Sequence, residues 1–164
     1  MNRSKWLAVG LLAVLMLIPS SYTIAATPAQ MAADAAATAL AAAKQAQAQC
    51  DLGQKAVNAD KTAVAAAEAK LTAAEKAGDK TAIALARAGL RQAKTALRQV
   101  EDASSKICRD ASKATAAADG AKDAADRAAR ATDPAKATAA MEQAQKLAKQ
   151  AVDDANDAAE QARK

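Results

Sequence analysis

Two seven-residue rhythms set on either side of a single Gly-Asp step constrain this chain more than anything else in it. Val57, Val64 and Leu71 are seven apart, and so are Ile83, Leu90 and Leu97, with Gly78-Asp79 between the two sets. A repeat of seven, stepped as threes and fours, keeps one stripe of a helix facing a partner. Extended backwards, the first stripe runs through Ala32, Ala36, Ala39, Ala43, Ala46, Cys50, Gly53, Val57, Asp60, Val64, Ala67, Leu71 and Ala74 to Gly78. The second runs through Ile83, Ala86, Leu90, Ala93, Leu97, Val100, Ser104, Ile107, Ala111, Ala114, Ala118, Ala121, Ala125 and Ala128. Asp60 and Ser104 are the polar members. The weight of the pattern rests on the larger residues, because alanine fits almost any register in so alanine-rich a chain.

Residues that face each other across an antiparallel helix pair have numbers that add to a constant. A constant of 157 sets Leu71 against Ala86, Ala67 against Leu90, Val64 against Ala93, and Ala74 against Ile83. In each of these four pairs a large side chain meets a small one, which lets the axes approach to about 8 Å. A neighbouring offset pairs Lys61 with Glu101, Glu68 with Lys94, and Glu75 with Arg87 along the flank. The centre of symmetry falls between Gly78 and Asp79. Gly78 is therefore expected to end one helix in a left-handed conformation and Asp79 to cap the next.

Cys50 and Cys108 lie equally far from residue 79, so the same fold brings them to one level and predicts a disulfide, with two unpaired thiols as the alternative. The predicted helices are about 29–77, 81–131 and 134–163, with Thr132-Asp133-Pro134 as the second turn. The third carries a seam of Ala137, Met141, Ala144, Ala148, Ala151, Ala155, Ala158 and Ala162, flanked by Leu147 and Val152. The fold class is all-α: a long antiparallel coiled-coil hairpin rich in alanine, with a shorter third helix that makes a three-helix bundle at one end.

The N-terminus reads as an export signal covering residues 1–26. Arg3 and Lys5 supply a basic start, Trp6 to Ile18 an apolar run, and Pro19 to Ala26 a small-residue stretch with cleavage after Ala26 or Ala25. The alternative is an uncleaved anchor, for which the run is short. The mature chain, 27–164, is expected to be periplasmic or secreted, where a disulfide persists. Losing Arg3 and Lys5 from 23 basic residues leaves 21 against 18 acidic ones, a net of +3. That mild balance argues against a nucleic-acid partner.

Chemistry is scarce. Histidine and phenylalanine are absent, and the only aromatic residues, Trp6 and Tyr22, lie in the signal. Without a Ser-His or Cys-His set, a phosphate-cradling loop or a metal-ligand cluster, the sequence predicts no enzyme, no cofactor and no metal. Two features remain as candidate contact surfaces. Arg87, Arg91, Lys94 and Arg98 follow helical spacing in a stretch from Lys80 that holds five bases and no acid, and so suit an acidic protein or an anionic surface. Ala56, Ala63, Gly89, Ala96 and Ala103 line one flank of the hairpin as a candidate groove for a helix of a second copy or of another protein. The bland readings are a solvated charged face and alanine as filler. Asp60 falls in the seam opposite Leu97, where it sets register or marks a loosened layer near Gly53.

Some segments resemble known families. AGDKTA at 77–82 and AKDAADRAARATDPAKATAA at 121–140 resemble the Ala/Lys/Asp repeats of late-embryogenesis-abundant stress proteins. Thr38, Thr115 and Thr138 among alanines resemble the faces of helical antifreeze proteins, without that family's fixed threonine interval. The ending Ala162-Arg163-Lys164 is similar to that of the small outer-membrane lipoprotein joined to peptidoglycan through its terminal lysine, although no cysteine follows the signal here. The expected function is an exported, non-enzymatic helical bundle acting by contact with an unidentified protein or an anionic surface, with a homo-oligomer open. The alternatives are a stress-protective or ice-binding protein and a membrane-active helical protein.

Overall fold

The chain folds as three packed α-helices, the all-α architecture that the seams imply. A computed structural model of the protein describes residues 26–163; the expected signal therefore lies outside the described residues except for Ala26. Helix α1 spans Pro28–Ala77, α2 Lys80–Arg130 and α3 Pro134–Gln161. No helix among the described residues is long and apolar enough to cross a membrane.

Each boundary has a local chemical cause. Thr27 caps α1 by accepting from the Gln30 N–H at 3.3 Å, while the Gln30 amide oxygen accepts from the Thr27 N–H at 3.1 Å. This reciprocal pair satisfies two donors that a helix start leaves open, and Pro28 contributes no donor to leave open. At the other end Gly78 adopts φ +71°, a left-handed conformation that a residue with a Cβ resists, and its N–H donates to the Glu75 carbonyl at 3.2 Å. Asp79 starts α2 at once, its carboxylate accepting from the N–H groups of Thr81 at 2.9 Å and Ala82 at 3.1 Å. Asp133 does the same for α3 through the Ala135 N–H, with Pro134 in the first turn.

The seams meet in the expected register. A Cβ placed on Gly53 would sit 2.9 Å from the Ser104 Oγ, so these two residues, whose numbers add to 157, touch across the interface. This layer is tight rather than loosened. Each of the seam residues proposed for α2 is buried or half-buried, as are those of α1 apart from the exposed Gly78 at the turn. In α3 the outlier is Ala162, which is exposed.

Helix α3 runs antiparallel to α2 and beside the N-terminal half of α1. Leu147 lies over Gly120, its Cδ1 3.1 Å from where a glycine Cβ would stand, and Arg127 donates to the Gln143 side chain at 3.1 Å. Stepping along both helices from these contacts puts Gln161 beside residues 106–109 of α2, the level of the disulfide. The core is alanine under three helices: Ala39, Ala46, Ala114, Ala121 and Ala151 have no exposed surface at all. Beyond the disulfide, α1 and α2 continue alone as an arm of about 25 residues each, roughly 37 Å long at 1.5 Å per residue.

Candidate contact surfaces of the arm

The base of the arm is pinned by the Cys50–Cys108 disulfide, across which the Cα atoms are 4.6 Å apart. Gln54 extends its amide over the bridge, 3.6 Å from the Cys50 sulfur and 3.8 Å from that of Cys108. An open cleft lies beside it, lined by Gln54, Asn58, Lys61, Glu101, Ser105 and Cys108. This cleft is not legible in the sequence, because its residues look like ordinary polar positions beside a seam. The one available signal is that Gln54, Asn58 and Ser105 are uncharged, whereas toward the tip the flank carries charged residues such as Glu68, Glu75, Arg87, Arg91, Lys94 and Arg98.

The basic stripe divides into two kinds of residue. Arg87 pairs with Glu75 at 3.3 Å and Lys94 with Glu68 at 3.0 Å, and further down the flank Lys61 pairs with Glu101 at 3.6 Å. All three are the cross-helix pairs that the neighbouring offset predicts. Their side chains are about half exposed, so each is worth roughly 0.2–1 kcal/mol and serves register more than stability. Arg91 and Arg98, one helical step around from the paired residues, are exposed and make no ion pair among the described residues. The positive charge left uncompensated on this flank is therefore theirs.

The opposite flank is bare. Ala56, Ala63, Gly89 and Ala96 are exposed, and Ala103, nearest the bundle, is half-buried. Apart from the adjoining backbone of its own helix and its two chain neighbours, nothing among the described residues lies within 4 Å of a Cβ built on Gly89. Leu52 at the base, 51% exposed, and Leu85 near the tip, 71% exposed, lie along the same side. These residues form an open face rather than a walled groove.

Electrostatics outside the arm concentrate at one point of the α2–α3 contact. Lys113 donates to Asp110 at 2.8 Å, and this hydrogen bond, with the accompanying charge attraction, raises its pKa. Asp154 of α3 lies near Lys113, but its Oδ2 is buried without a hydrogen-bond partner. Burial pushes the Asp154 carboxyl above the usual carboxylate range, against the pull of Lys113. No known family model, curated protein or solved structure matches the chain.

Proposed function

We propose that this protein is an exported, non-enzymatic bundle that presents its arm to an anionic protein or surface. The observation that carries the reading is the division of the basic stripe. Helix α1 supplies glutamates to Arg87 and Lys94 and none to Arg91 and Arg98, so two guanidinium groups project from a stiff arm with their charge available. Arginine suits this role, since its planar fork binds carboxylates or phosphates through two hydrogen bonds at once. The bundle and the disulfide hold the arm's base, and two capped helices of nearly equal length hold its direction.

The ice-binding alternative gains little from the threonines. Thr38, Thr115 and Thr138 each donate their hydroxyl to the carbonyl four residues back, at 2.9, 2.9 and 3.0 Å, and they are spread over three helices. A matched seam with a disulfide also differs from the compositional disorder of stress-protective chains.

The test is recovery of partners from the exporting cell's envelope, comparing wild type with Arg91→Ala/Arg98→Ala and with Arg87→Ala/Lys94→Ala. Recovery is expected to fall several-fold in the first variant and with added salt, and less in the second. Equal recovery by wild type and Arg91→Ala/Arg98→Ala would sink the reading.

A further inference from the structure

The bare flank of the arm is the continuation of the bed on which α3 lies. Ala42 of α1 and Ala117 and Ala124 of α2 are buried where α3 is present. Counting in sevens from them leads to Ala56 and Ala63 on α1 and to Gly89, Ala96 and Ala103 on α2. Leu85 likewise repeats the position of Gly120, on which Leu147 packs. One two-helix surface therefore runs the length of the molecule, covered by a helix over one half and open over the other. The cover stops at the level of the disulfide.

We infer that the open half is covered by the arm of a second copy, packed face to face and antiparallel. This rests on the reading of the arm as the contact element, and it names one partner. Sterics fix the direction. Helix α3 occupies this face in the bundle, so two copies set parallel would drive their third helices into each other, whereas reversal lets each tip run along the other arm to the end of its α3. An overlap of about 37 Å by 18 Å covers roughly 650 Å² on each copy, about 1,300 Å² in total, within the range of specific interfaces and near its lower end. Charge agrees with the register. When the tip of each arm abuts the other copy's α3, α1 lies against α1 with Lys70 beside Asp60 of the second copy. Lys70 is an exposed cation in this row of small residues, and Asp60 is a half-buried seam carboxylate bordering it that makes no ion pair among the described residues of its own chain. The two-fold axis makes that pair twice. Arg91 and Arg98 remain on the outer flanks, so the dimer offers its basic surface on two sides.

The test is sedimentation equilibrium of the oxidised chain, produced in an oxidising compartment with its own N-terminus, from about 1 to 100 µM, the range over which an interface of this size passes from dissociated to associated. Wild type is expected to move from the mass of one chain toward that of two. Ala63→Glu/Gly89→Glu is expected to stay at one chain with unchanged helicity, because both positions are open in the single chain. Lys70→Glu is expected to weaken the dimer at least several-fold. A wild type of single-chain mass throughout overturns the inference, as does a dimer that survives Ala63→Glu/Gly89→Glu, which would place the contact elsewhere, in an exchanged α3 for example. The control Arg91→Ala/Arg98→Ala should dimerise as wild type does. A monomeric wild type thus leaves the anionic-contact reading standing, while a dimer with unchanged envelope partners in that control does the reverse.

Discussion

The two halves of the molecule solve the same packing problem in opposite ways. In the arm, large aliphatic residues such as Val64, Leu71, Leu90 and Leu97 fill the seam and are nevertheless only half-buried. In the bundle the seam is almost entirely alanine, and many of those alanines are fully covered. A third helix makes the difference, since a residue enclosed by three backbones is buried however short its side chain. Between two helices, a side chain must be long to remove comparable apolar area from water, at about 25 cal/mol per Å². Side-chain size therefore follows the number of neighbours.

Breaking the disulfide tests this comparison most severely. The loop it closes is the arm itself, since residues 51–107 contain both arm helices and the tip, with a sequence separation of 58. Chain entropy alone assigns such a closure about 4 kcal/mol. Cys50→Ser/Cys108→Ser, or reduction of wild type, is expected to lower the thermal midpoint strongly. Amide exchange should accelerate more in the arm than under α3. Equal acceleration in both halves would mean that the arm does not depend on its pinned base.

Glycines give a smaller and signed contrast. At Gly53, an added methyl meets the Ser104 Oγ at 2.9 Å and its Cβ at 3.3 Å, whereas at Gly89 it meets nothing. Alanine is the better helix former by about 0.8–1 kcal/mol, so Gly89→Ala is expected to stabilise by up to about that amount. Gly53→Ala receives the same intrinsic gain but must spread the helices, and is expected to destabilise by about 1 kcal/mol. Adding Ser104→Ala should restore part of the loss by removing the hydroxyl. Urea midpoints of the two single variants moving in the same direction would show that the neck is no tighter than the open face.

Where the fold was legible in the sequence, the reason is long-range periodicity. Val57, Val64 and Leu71 against Ile83, Leu90 and Leu97 fix a register that few offsets satisfy, and Glu68–Lys94 and Glu75–Arg87 follow from it. The contact surfaces were legible as residues but not as surfaces. The spacing of Arg87, Arg91, Lys94 and Arg98 alone marks one stripe; the offset that gives Arg87 and Lys94 their glutamates already divides it, but that Arg91 and Arg98, one helical step around, stay exposed beside those pairs is seen only in the structure. The row from Ala56 to Ala103 became meaningful when α3 was seen to lie on its continuation. Asp154 gave no sign at all, since an aspartate beside Val152 and Asp153 reads as another exposed acid.

That aspartate supports the smallest prediction, and it probes the bundle half alone. Asp154 is destabilised in its charged form by burial, and its neighbour Lys113 is already engaged by Asp110. Its native carboxyl thus holds a proton more tightly than in the unfolded chain, where the pKa is about 3.9. The stabilisation from that proton is complete below the unfolded value and disappears as the pH rises through the higher native one. At neutral pH the carboxylate opposes the docking of α3, so Asp154→Asn is expected to be slightly more stable than wild type there, with the gap narrowing as acid protonates the native group. Urea melts at pH 7 and pH 4 check both signs. Exchange rates resolved by helix should place the gain in α3 and α2 facing it, leaving the arm unchanged. A gain that persists undiminished at pH 4 would trace the effect to the amide's own hydrogen bonds rather than to the removed charge.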